Sequence, residues 1–147
     1  MLSEFFDLSR IKLDLGSRTR DAVLTELVKI ITGSCKGYNE QQLLDAVTQR
    51  EGKMDTIIGP GIAMPHGYCS AVHGIIGAIG FSKTGIEYVR HEENPVHLFF
   101  LLLMDESSWE RNLNVFSRLM ELLKSTNIAE ISSMENSREL FDLVRRF

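Results

Sequence analysis

Apolar positions along this chain recur at two spacings, one suited to strands and one to helices. Ile11-Lys12-Leu13-Asp14-Leu15 alternates apolar and polar residues, which predicts a short half-buried strand. Ser17 stands where a helix cap is wanted, and Ala22, Val23, Leu27, Ile30 and Ile31 share one face of a helix running to about residue 31. Gly33 is its expected stop. Asn39 followed by Gln42 has the form of a capping box and opens a second helix with Leu43, Leu44 and Val47 inward. Arg50 and Glu51 fall in its last turn. Ile57-Ile58 and Ile62-Ala63-Met64 read as two strand pieces, and Gly59-Pro60-Gly61 between them predicts a turn or bulge.

Residues 75–81 are β-like, with Gly74, Gly77 and Gly80 permitting close backbone approach. Residues 96–104 are apolar except for His97, which predicts a central strand covered on both faces. Ser107-Ser108-Trp109-Glu110 signals the start of a long helix to about residue 124, with Val115, Phe116, Leu119, Leu122 and Leu123 as its core stripe. A last amphipathic helix over residues 137–146 turns Leu140, Phe141 and Val144 inward. Strands interleaved with helices predict an α/β sandwich with a central mixed β-sheet and helices on both faces. No repeat, low-complexity tract or linker divides the chain, so residues 1–147 are expected to form a single domain.

Composition narrows the function classes. A net charge of −4, with basic residues scattered apart from Arg138, Arg145 and Arg146, argues against a nucleic-acid partner. Cys35 and Cys69 make no disulfide framework and fit a reducing cytosol. Acidic residues follow Met1 where a secretory leader would carry basic ones. The apolar run over residues 95–104 is too short to span a bilayer. The expected location is therefore cytoplasmic, without direct membrane insertion.

The strongest chemical signal is Gly61-Ile62-Ala63-Met64-Pro65-His66-Gly67. Pro65 has a fixed φ and no N–H, and it biases Met64 towards extended backbone, so His66 can be held at a strand end. Gly67 lacks a Cβ, which would let a bulky reactant or another protein's backbone approach the ring. A neutral imidazole keeps one bare nitrogen and can attack phosphorus or shuttle protons. Residue types alone leave open a turn histidine that merely closes a buried strand. His66, Cys69 and His73 lack the ligand number and spacing of a zinc site, so no metal is expected. Cys69 as a nucleophile served by His66 would lack an orienting third group. His97 reads as a core or strand-end residue, and His91 as part of a solvated loop.

Gln49-Arg50-Glu51, Thr56 and the run from Ile58-Gly59 to His66-Gly67 together resemble the fructose/mannitol-type enzyme IIA domain of the bacterial phosphotransferase system. The resemblance extends over residues 10 to 146. It implies a mixed sheet flanked by helices and a phosphoryl group accepted on His66 from HPr or its nitrogen-system counterpart. The group would pass to a sugar-transporter domain, or its presence would regulate a target protein. In this scheme His66 is the nucleophile and Arg50 offers paired donors to the transferred group. Thr56 gives a hydroxyl hydrogen bond, and the segment ending at Gly67 offers backbone N–H groups to the anion. Neither metal nor cofactor is called for. The absence of a fused transporter segment leans towards the nitrogen-regulatory branch. One departure stands out: Asn112-Leu113 replaces a His-Leu pair usual in such domains. Asparagine can hydrogen-bond to His66 or to phosphate but cannot carry a proton or a positive charge. The alternative reading is thus a phosphorylation-impaired binding module that acts by docking.

Overall fold

The computed structural model describes residues 1–91, 93–107 and 109–147. Two single 3₁₀ turns, Leu2–Glu4 and Leu8–Arg10, lead into β1 (Ile11–Lys12), α1 (Arg20–Ser34) and α2 (Glu40–Glu51). Then follow β2 (Ile57–Gly59), β3 (Ile62–Ala63), β4 (His66–Tyr68), β5 (Ile75–Ile86) and β6 (Val96–Met104). Helices α3 (Trp109–Ser125), α4 (Ile128–Ser132) and α5 (Ser137–Val144) close the chain.

The strands form one mixed sheet in the order β1-β5-β6-β3-β2, with β4 also paired to β6. The strand pair β5/β6 is antiparallel, whereas β3 and β4 run parallel to β6. Alternation along β6 divides the core. Phe99, Leu101 and Leu103 face α1 and α2, packing with Val23, Leu27, Ile31, Leu43 and Val47. Leu98, Phe100 and Leu102 face the other helices, packing with Val115, Leu119, Leu122, Leu140 and Val144. A strand buried on both faces has no reason to alternate polar with apolar residues, which explains its unbroken run.

Two local features set up the histidine. Strands β3 and β4 keep one register against β6, with Ile62 opposite Leu98 and His66 opposite Leu102. Pro65 interrupts the ladder because it has no N–H to give, yet its carbonyl still accepts the Leu102 N–H at 3.0 Å. The kink thus leaves the strand's course unchanged. Gly67 is the second feature. A Cβ there would lie 2.7 Å from the carbonyl carbon and oxygen of Ala46, so α2 crosses β4 at backbone contact. The expectation that Gly67 leaves room for an incoming reactant is corrected: its own chain fills that space.

Other expectations shift in instructive ways. Thr19, not Ser17, caps α1 through a hydrogen bond from Ala22 N–H. The Ser17 hydroxyl and N–H both donate to Glu26 Oε1, at 2.6 and 2.9 Å, so a nearby carboxylate outcompetes the helix end. Leu24 and Val28 take core positions expected of Ala22 and Ile30, and Gly33 lies inside the helix. The first strand stops at Lys12, although Leu15 N–H still reaches Phe81 O at 3.0 Å. The expected cap at Ser108 and the loop residue Glu92 lie outside the described residues. No helix among the described residues is long and apolar enough to cross a membrane.

Candidate functional site

His66 opens β4 on the α3 side of the sheet and is half-buried. Its Nδ1 lies 2.9 Å from the carbonyl oxygen of Met64. A carbonyl can only accept, so Nδ1 carries the ring proton and Nε2 keeps a bare lone pair. Pro65 O is taken by the Leu102 N–H of β6, whereas the preceding Met64 carbonyl accepts from the ring two residues on. Phe116 of α3 meets the ring edge-on, with centroids 5.2 Å apart and planes at 71°.

The charge balance around the ring favours the neutral form. Burial is the largest influence and pushes its pKa below the ordinary 6.5. The bond to Met64 pushes the other way; Arg50 adds to the lowering and Glu51 opposes it. The net result is a ring that enters the neutral range without a proton on Nε2.

Both charged neighbours come from the last turn of α2, which the backbone contact at Gly67 holds over β4. Arg50 donates from Nη1 to the carbonyl of Met54 at 2.9 Å. Its remaining N–H groups make no hydrogen bond to described residues and can meet an anion. Glu51 is only 2% exposed. Its Oε1 accepts the Thr56 N–H at 3.0 Å and its Oε2 accepts the Thr56 hydroxyl at 2.8 Å. Thr56 is therefore reassigned: its hydroxyl proton is held by Glu51 and is not offered to a phosphoryl group.

Asn112 also differs from expectation. It is 1% exposed, and its Nδ2 donates to the carbonyl of Asp105 at 3.3 Å. It makes no hydrogen bond to His66, and among the described residues its buried Oδ1 has no partner. The side chain ties α3 to the Asp105 turn. Sequence reasoning placed Glu51 in the motif without giving it a role, and placed Phe116 in the core. Cys69 packs among α1 and α2 residues, on the face opposite His66, and among the described residues no cluster is arranged to hold a metal ion. The largest groove described, about 710 Å³ beside α1, is lined by Lys12, Ser17 and Glu26 among others and does not include His66.

Several exposed apolar side chains neighbour these residues in sequence or on the same helix face. Leu113 and Met120 are exposed and share a face of α3 with Phe116, and Met54 and Ile58 are exposed on the segment after α2.

Over residues 4–146 the chain matches the family model described as "Phosphoenolpyruvate-dependent sugar phosphotransferase system, EIIA 2". It is 29% identical over 146 residues to the fructose-specific EIIABC component of the phosphotransferase system of Bacillus subtilis, covering 99% of this chain and 23% of that protein. The chain thus spans about a quarter of that relative's length. It is 32% identical over 94 residues to a nitrogen regulatory protein of Bradyrhizobium diazoefficiens, covering 64% of this chain and 61% of the other. The crystal structure of nitrogen regulatory protein IIA-Ntr from Neisseria meningitidis superposes with a TM-score of 0.86 at 23% identity, covering 97% of this chain and 98% of that one. Enzyme IIAMTL in its complex with phosphorylated enzyme IIBMTL from Escherichia coli gives 0.79 at 18%, covering 97% and 100%. At these identities the structural likeness establishes the fold.

Proposed function

The chain belongs to the EIIA 2 family of the phosphoenolpyruvate-dependent sugar phosphotransferase system, and on that premise we propose that it accepts a phosphoryl group on Nε2 of His66 from an HPr-type phosphocarrier protein. The acceptor beyond it is a IIB-type transporter domain or a regulatory target that senses the phosphorylated state. One observation carries the reading: the Nδ1 bond to Met64 leaves Nε2 as the ring's sole nucleophilic atom.

The chemistry needs little beyond placement. The Nε2 lone pair forms a bond to phosphorus as the donor's bond to phosphorus breaks on the opposite side. No proton has to leave the ring, because the attacking nitrogen is bare. Positive charge develops on the imidazole, and the Nδ1–H bond to Met64 stabilises it. The unengaged N–H groups of Arg50 are suited to the equatorial oxygens. The exposed Leu113, Met120, Met54 and Ile58 supply apolar area for a protein donor to dock. Free thiols at Cys35 and Cys69 support a cytoplasmic location.

Incubation with phosphoenolpyruvate, enzyme I and HPr, or their nitrogen-type counterparts, labels the wild-type protein, and His66→Ala takes up no label. Equal labelling of the two removes the assigned nucleophile. A second reading, a docking module impaired in transfer, draws on Asn112, which stands in the place of a histidine and bonds to the Asp105 carbonyl rather than to His66. Intact-mass measurement after the incubation separates the two, since only the carrier gains one phosphoryl group.

A further inference from the structure

Nothing in the transfer chemistry requires Glu51 to be buried, and burying a carboxylate is costly unless its oxygens are satisfied. Both oxygens are satisfied by one residue, Thr56, five positions along the chain. Among the described residues Glu51 has no cation within ion-pair distance. The pair fastens the start of the segment leading to β2 onto the end of α2. The segment between them, residues 52–55, contains Met54, whose carbonyl holds Arg50.

We propose that Glu51 and Thr56 form a clip that positions Arg50: the clip fixes the 52–55 loop, the loop fixes the Met54 carbonyl, and the carbonyl aims the guanidinium alongside His66. The proposal rests on the phosphoryl-acceptor reading above. It makes Thr56 and Glu51 positioning residues, which act on the transferred group only through Arg50. A side chain as long as arginine loses considerable rotamer freedom when it is held, so anchoring it before the donor arrives favours transfer. It also gives the buried pair a function that a cap or turn at this place would not need. The charges that act on His66 are Arg50 and Glu51 from α2, and Phe116 from α3 lies against its ring, so among the described residues no other charge competes for the effect. Tyr88 comes close to the clip from beyond β5. Its hydroxyl is buried near Glu51 and Thr56 without a well-formed hydrogen bond, so it adds no tie of its own.

The test is a double-mutant cycle on the rate of His66 labelling, accompanied by NMR titration of the His66 ring. Glu51→Gln and Thr56→Val each slow labelling roughly ten- to a hundredfold, the loss expected when a catalytic contact is misplaced by about 1 Å. In an Arg50→Ala background neither causes further loss, because the contact they serve is already gone. Thr56→Ser keeps the hydroxyl and restores most of the rate lost in Thr56→Val. Thr56→Val also raises the pKa of His66, since a released guanidinium no longer disfavours the imidazolium. Losses that multiply with that of Arg50→Ala, or wild-type rates in both clip variants, overturn the clip. If the wild type takes up no label, the acceptor reading fails separately, and an unchanged His66 titration in a folded Thr56→Val protein still refutes the clip.

Discussion

Two histidines in this sheet share nearly the same local geometry and differ in what surrounds them. His66 gives its Nδ1 proton to Met64 O at 2.9 Å; the Nδ1 of His97 lies 2.8 Å from Ser82 O. Each is half-buried in a strand and each lies against a phenylalanine, Phe116 at 5.2 Å and Phe81 at 6.1 Å. Both rings therefore carry the proton on Nδ1. Around His97, however, the chain closes in: a Cβ at Gly85 would lie 3.1 Å from Nε2, and Gly61 and Pro95 crowd the same end of the strand. His66 instead has the end of α2 beside it, with Arg50 and Glu51. Fixing the tautomer prepares a nucleophile, but a cation beside the ring is what makes it useful to an anion.

The largest effect expected from this contrast is on labelling. His66→Ala abolishes uptake of the phosphoryl group, whereas His97→Ala, if folded, retains it. Loss of label in a folded His97→Ala protein would mean that the two rings are not separated in role as described.

The next effect concerns what puts Arg50 beside one ring and not the other. Gly67→Ala pushes a methyl group into the backbone of α2 and destabilises the fold by about 1–3 kcal/mol, as overpacking a tight contact does. Urea melts read the stability loss. Slower labelling of the fraction that remains folded reads the displacement of α2 from His66. An unaffected melt would show that the helix does not rest on β4 as closely as described.

A smaller effect is the pH response. Burial, the largest cause, holds the pKa of His66 below 6.5 in the folded protein. Attack requires the neutral ring, so the labelling rate falls to half its plateau at a pH below 6.5. Between the folded pKa and 6.5 the unfolded chain binds a proton that the folded one resists, so His66 also makes the fold less stable as pH falls through that window. A half-maximal rate at a pH above 6.5 would indicate a raised pKa and a more exposed or acid-paired ring.

Much of this arrangement is legible in the sequence where a residue has one physical use. Asn39 caps α2 as its pattern implies, with the Gln42 N–H bound at 2.9 Å. The apolar run of β6 announces a strand buried on both faces, whereas Pro65 before His66 suggests a strand end and the chain instead continues as β4 in the same register. Legibility fails where a residue has two uses and distant partners choose between them. Ser17 and Thr19 are both fitting caps, and Glu26, well along the helix, decides in favour of Thr19 by taking the serine. Gly67 announces a close backbone approach without saying whose backbone arrives. Glu51 falls in the motif without a role of its own, because its burial depends on a loop folding back five residues later. Asn112 is recognisable as the departure from a His-Leu pair, but its commitment to Asp105 depends on the turn before α3.

The central claim, that Nε2 of His66 is the bare and reactive atom, is tested most directly by ¹⁵N-resolved NMR of the imidazole before and after the phosphotransfer incubation. At neutral pH the account predicts a protonated Nδ1 and an unprotonated Nε2, with phosphorus afterwards coupled to Nε2. A ring protonated on Nε2, or phosphorus attached to Nδ1 or to another residue, would contradict it.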